Sequence, residues 1–130
     1  MQKTQASSLR RYQEKELRAF AHQQRIWKQY CESKEKVNSK FNECLRIKQE
    51  SNDIRQELRR ARKSLQRLSS DSNESKRKEI AQINERYNEK EEQFQKADQE
   101  LISLIRERDK LREDYLGAKQ AYEAIMKAAP

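Results

Sequence analysis

Apolar residues recur along this chain at alternating spacings of three and four. In the second half the a positions are Ile80, Tyr87, Phe94, Leu101, Arg108, Tyr115, Tyr122 and Ala129, and the d positions are Ile83, Lys90, Ala97, Leu104, Leu111, Ala118 and Ile125. A sustained repeat of about 3.5 residues keeps one stripe of a helix turned inward and marks a coiled coil. The first half carries a looser version. Its a positions are Leu9, Glu16, Gln23, Tyr30, Val37, Cys44, Ser51, Leu58 and Leu65, with d at Tyr12, Ala19, Ile26, Ser33, Lys40, Ile47, Ile54, Ala61 and Leu68.

The two repeats do not share a phase. Carried past Leu65, the first would place a positions at Ser72 and Glu79, one residue short of Ile80. The slip coincides with Ser69-Ser70-Asp71-Ser72-Asn73-Glu74-Ser75, which has no apolar residue. Ser, Asp and Asn side chains bond to nearby backbone and compete with helix. Asp71 and Glu74 also have the spacing of a capping box. The pattern therefore predicts a flexible tail over 1–8, a helix over 9–68, a turn over 69–75 and a second helix over 76–128. The whole is a single elongated unit.

The expected fold is all-α, a long antiparallel helical hairpin. In an antiparallel pair an a residue of one helix faces a d residue of the other. A turn centred on Glu74 would give layers such as Leu68–Ile80, Leu65–Ile83, Leu58–Lys90, Ile54–Phe94, Lys40–Arg108 and Ile26–Tyr122. A register shorter by one heptad is also sterically open. In the first register one layer is unfavourable, because Lys40 and Arg108 bring like charges together. Helices of about 60 and about 53 residues would make a rod on the order of 80–90 Å long.

The stripe is wider away from the turn. Helix one adds Leu17, Phe20, Trp27, Cys31, Phe41 and Leu45 at b and e positions, and helix two adds Ile102, Ile105, Leu116 and Met126. The b and e positions flank a, so the apolar arc opens to roughly 160°. A two-helix seam would leave Trp27, Phe20 and Ile105 partly exposed. Several such side chains together favour association. The hairpin is therefore expected to join a larger helical bundle through these ten residues.

Composition supports helices and excludes most alternatives. The chain has 130 residues, 33% hydrophobic and 40% charged, with one Gly and one Pro. Turn-rich sheets, barrels and Rossmann-type folds need many more Gly and Pro residues. Lys, Arg, Glu, Gln, Leu and Ala dominate, and all lose little rotamer freedom in a helix. No run of about 18 apolar residues could cross a membrane. The opening, Met1 to Arg11, lacks the apolar core of a secretory signal, although its basic, acid-free character fits a mitochondrial presequence as a minority reading. Gly117 lies at an outer position beside Leu116, where it would mark a bend or the close approach of another helix.

Charge divides the chain. Residues 1–68 hold 18 Lys/Arg against 8 Asp/Glu, residues 69–130 hold 12 against 14, and the chain totals +8. Around the turn, Arg55, Arg59, Arg60, Arg62, Lys63, Arg67, Lys76, Arg77 and Lys78 face only four acids within 55–79. This basic tip is a candidate contact for an acidic protein surface such as tubulin tails, or, as a weaker reading, for nucleic acid. No aromatic residue lies there to stack on single-stranded bases. Phosphorylation at Ser64 or at Ser69 to Ser75 would cancel part of the tip charge.

Enzyme chemistry is not expected. His22 is the only histidine, and Cys31 and Cys44 have no zinc-ligand or CxxC spacing. There is no Gly-rich phosphate loop, and a two-helix rod offers no cavity for a nucleophile and base. No catalytic, cofactor or metal residue is assigned. The expected role is a structural or scaffold subunit that packs with other coiled-coil chains, as a hetero-complex or homo-oligomer. A cytoskeletal, centrosomal, adaptor or tethering complex in the cytoplasm would use such a part. The alternative is a nuclear or nucleic-acid-associated subunit that uses the tip.

Overall fold

A computed structural model describes residues 2–68 and 73–129. It contains two helices, α1 (Gln2–Arg67) and α2 (Asn73–Lys127), packed against each other as a helical hairpin. No residue with β-sheet geometry occurs among those described. The expected fold class is therefore the observed one.

The boundaries differ from the sequence expectation at both ends of both helices, by one residue at the end of each. Gln2 to Ser8, expected as a flexible tail, are helical. Helix α2 starts at Asn73 rather than at position 76 and ends at Lys127. Ser69 to Ser72 lie outside the described residues, and so does the Asp71 half of the expected capping box. The first turn of α2 carries Glu74, and the last turns of α1 and α2 carry Arg67 and Lys127. These charges oppose the helix macrodipole at the right ends.

The chain divides into two compact units. The terminal unit takes residues up to Val37 and those from Ser103, and the turn unit takes Asn38–Ile102. In both, the inward stripe follows the a and d positions. Ile26, Ser33 and Val37 of α1 and Ala118 of α2 are buried in the terminal unit. Cys44, Ile47, Ser51, Ile54, Leu58, Ala61, Ile83, Ala97 and Leu101 are buried in the turn unit. The looser first repeat is thus as real as the second. The stripe fades at its ends, where Leu9 and Leu68 are exposed.

The register is the shorter of the two alternatives. Ile54, Leu58, Ala61 and Ile83 form one buried cluster, flanked by Ile80 and Tyr87. In the terminal unit Phe20 stacks on Tyr122 at 5.7 Å and Trp27 on Tyr115 at 4.9 Å. Tyr12 hydroxyl approaches Met126 Sδ at 3.9 Å. The layers Leu68–Ile80, Leu58–Lys90 and Lys40–Arg108 are accordingly replaced by pairings one heptad nearer the turn.

Ion pairs accompany this register. In this register Lys40 donates to Glu100 at 2.7 Å and lies 2.9 Å from Glu43, while Arg108 pairs with Asp109 at 3.1 Å. Lys90 reaches Glu50 at 2.6 Å. Ser51 is fully buried, and its hydroxyl donates to Glu91 Oε1 at 2.5 Å. A lysine at a d position is tolerable when its stem lies along the seam and its ammonium meets carboxylates at the edge.

Candidate interaction surfaces

An antiparallel helix pair has two unlike broad sides. One is bordered by the e positions of both helices, with b beyond them, and the other by the g positions, with c beyond. The pairings in the structure follow this rule. In the turn unit Glu57 and Arg86, both at g, pair at 3.3 Å, and Lys48 and Glu91, both at e, lie 3.7 Å apart.

The two sides differ in chemistry. The g and c positions of α1 carry no large apolar residue. In the turn unit this side holds the ion pairs of Lys40, Lys90 and Arg86. An open groove there is lined by Glu43, Arg46, Glu50, Lys90, Lys96 and Glu100, among others. Lys40 sits between two carboxylates, which hold its ammonium above the ordinary lysine range. The same hydrogen bond holds Glu100 below the ordinary carboxylate range, and Lys90 does so for Glu50.

The e and b side carries the apolar surplus. In the terminal unit Leu17 is 68% exposed, and Phe20, Trp27, Leu116 and Met126 are also exposed. Phe20 and Trp27 each meet a tyrosine of α2 in a tilted ring contact and stay partly open to solvent. Lys34 Nζ stands 4.9 Å from the centroid of Tyr30. Ile105 and Cys31, expected on the same surface, are only half-buried there. In the turn unit the exposed large apolar residues of this side are Phe41, Leu45 and Ile102. Of the ten candidate partner residues, eight are exposed and two, Cys31 and Ile105, are half-buried.

The candidate tip residues are placed along α1 and the start of α2. Arg55, Arg59, Arg60, Arg62, Lys63, Arg67, Arg77 and Lys78 are exposed, and none forms an ion pair with another described residue. Lys76 is half-buried and pairs with Glu79 at 3.0 Å. Along the sequence the nine look like one cluster. The helix separates them: Arg55, Arg59 and Arg62 share the e and b side, whereas Arg60 and Arg67 lie at c.

Gly117 has open space around it within this chain. A Cβ built there meets nothing within 4 Å, so no close approach within this chain requires a glycine. Helix α2 runs through it without interruption.

The cysteines are unequal. Cys44 is buried in the seam, and burial pushes its thiol up, with Asp98 and Glu43 adding to the shift. Cys31 is half-buried at a b position. Alkylation at neutral pH should modify Cys31 first and leave Cys44 largely protected, because only the thiolate reacts. Peptide mass mapping over a time course reads the order. Equal rates would mean that the seam at Cys44 opens freely.

No helix among the described residues is long and apolar enough to cross a membrane. No cluster of three His, Cys, Asp or Glu side chains among them is placed to hold a metal ion. Comparison with known protein families, curated proteins and solved structures returned no match.

Proposed function

We propose that this chain is a non-enzymatic structural subunit that assembles with other helical chains by coiled-coil packing. One observation carries the reading. In the terminal unit Leu17, Phe20, Trp27, Leu116 and Met126 are all exposed and all lie at b or e positions. Exposed apolar residues scattered singly on a surface need no explanation, but a one-sided set does. Covering each such side chain contributes about 1.5–3 kcal/mol at full burial. A second hairpin or a partner helix laid on that side would complete a bundle of three or four helices. Cytoskeletal, centrosomal, adaptor or tethering complexes in the cytoplasm are the settings that call for such a part.

The test is association. The purified chain is expected to sediment as a concentration-dependent oligomer, or as a monomer that captures helical chains from an extract. Trp27→Ser together with Leu17→Ser should abolish either behaviour while leaving the circular dichroism of the helices unchanged. A chain that stays monomeric at high concentration and retrieves no helical partner would falsify the proposal.

A second reading, a nuclear or nucleic-acid-associated subunit, draws support from the eight tip cations without an ion pair among the described residues. It requires binding to duplex or single strands at low salt, with affinity falling by about one log unit per tenfold salt for each phosphate contacted.

A further inference from the structure

One face of α1 in the turn unit is free of acids. From Asn38 to Gln66 its b, e and f positions are Asn38, Phe41, Asn42, Leu45, Lys48, Gln49, Asn52, Arg55, Gln56, Arg59, Arg62, Lys63 and Gln66. These positions cover an arc of about 100°. All four acids of the segment, Glu43, Glu50, Asp53 and Glu57, fall at g or c instead. Three of them are engaged there, Glu43 with Lys40, Glu50 with Lys90 and Glu57 with Arg86.

The face is open, and apart from Lys48, which meets Glu91 at 3.7 Å, its cations are unmatched. Phe41 is 51% and Leu45 54% exposed. Arg55, Arg59, Arg62 and Lys63 are exposed and form no ion pair with any described residue. A shallow groove on this face is lined by Asn52, Arg55, Gln56 and Arg59 alone, with no contribution from α2. Arg55, Arg59 and Lys63 follow one another at i, i+4, the spacing at which like charges on a helix repel. The free hairpin thus carries a repulsive cationic ladder that an opposing row of carboxylates would relieve.

The order along the face narrows the partner. Apolar residues come first, at Phe41 and Leu45, and the arginines follow one helical turn after another toward the turn. A nucleic-acid backbone could neutralise the arginines but would leave Phe41 and Leu45 wet. A second copy docking α1 on α1 would bring no carboxylate to the arginines, because this face carries none. We infer that this face receives an acidic amphipathic helix from a different protein. Its apolar residues would cover Phe41 and Leu45, and its carboxylates, spaced three and four apart, would meet Arg55, Arg59 and Arg62. The inference deepens the structural-subunit reading, on which it rests, by giving one partner a chemistry.

The probes are two synthetic four-heptad peptides with Leu at a and d. One carries Glu at every flanking position and the other Lys. Fluorescence anisotropy with the full chain is expected to show binding of the Glu peptide only. Arg55→Glu with Arg59→Glu and Arg62→Glu should weaken that binding about tenfold and create binding of the Lys peptide. Phe41→Ser with Leu45→Ser should weaken binding of the Glu peptide without exchanging the preference. Equal binding of both peptides, an unstructured poly-Glu binding as well as the Glu helix, or unchanged preference in the triple variant would each overturn the inference. So would a duplex that displaces the Glu peptide while leaving the chain insensitive to Phe41→Ser. Sedimentation of the same triple variant separates this from the assembly proposal. Association through Trp27 and Leu17 should persist in it, whatever the peptides do.

Discussion

Replacing Leu58 by Ala should lower the stability of the hairpin by about 2–3 kcal/mol. Leu58 is an a residue, 5% exposed, in the buried cluster with Ile54, Ala61 and Ile83. Truncation removes the transfer free energy of the side chain and leaves a hole. The full range for Leu→Ala in cores is about 2–5 kcal/mol, set by how far the surroundings collapse. A seam between two helices is bordered by solvent on both edges, so water or a shifted neighbour can fill the space. That places the expected value toward the lower end. At several degrees per kcal/mol for a chain of this size, the melting midpoint should fall by roughly 10 °C. Thermal unfolding followed by circular dichroism measures it. Leu45→Ala supplies the contrast. The same residue type, half-exposed on the e and b side of the same helix, should change stability by no more than about 0.5 kcal/mol. If both substitutions cost the same, the a and d stripe is not the seam.

Reversing one charge should have a pH-dependent effect of the opposite sense to that of ordinary acid denaturation. Lys40 lies between Glu43 and Glu100, so Lys40→Glu sets three carboxylates together beside buried Leu101 and Cys44. At neutral pH the variant should melt several degrees below the native chain. In the native chain the folded pKa of Glu100 is depressed, so its contribution is present above the ordinary glutamate value and is lost as pH falls through the folded value. The folded pKa of Lys40 is raised, so its contribution is complete below the ordinary lysine value and is lost as pH rises through the folded value. The native pair therefore acts between about pH 4 and pH 10. Below that window the native chain loses its pair while the variant's carboxyls take up protons. The gap between the two melting curves should narrow as pH falls through and below the ordinary glutamate range. Adding Glu100→Lys should recover part of the neutral-pH midpoint, because the cross-helix pair is rebuilt with its ends exchanged while Glu43 remains beside position 40. Lys40→Met keeps the apolar stem and removes the charge, so it should be close to neutral. A gap that stays constant with pH would show that the cost is steric.

These two sites also mark how much of the fold is legible in the sequence. The heptads place nearly every buried position, because the spacing that turns a side chain inward is a property of the helix alone. The b and e residues are legible for the same reason. The register is not. Sliding one helix by seven residues keeps every apolar stripe facing inward, so periodic positions cannot tell the two alternatives apart. Only the residues that break the period can. Lys40, Ser51 and Lys90 do so, but which register they favour depends on where a long side chain ends, such as the 2.6 Å from Lys90 to Glu50. The unfavourable Lys40–Arg108 layer is the visible sign that the longer register is wrong. The basic tip is grouped too broadly by sequence alone, since closeness along the chain joins Arg59 and Arg60 although they lie on different faces.

The start of α1 departs from expectation for a simpler reason. Gln2 to Ser8 have few apolar residues and so show no repeat, yet nothing in them stops a helix. No Gly or Pro interrupts the segment, and a helix already nucleated further along extends one residue at a time at little cost.

In the assembly proposed above, the unlike broad sides of the terminal unit would limit stoichiometry. A strip that adheres on both sides can add neighbours without end, and sheets or fibres follow. Here the adhesive residues Leu17, Phe20, Trp27, Leu116 and Met126 share one side, while the g and c positions of α1 opposite are polar throughout. Such a strip has a valence of one across its width. Once a single layer of helices covers it, growth in that direction stops, and the copy number of any complex is settled by what the covering layer brings with it.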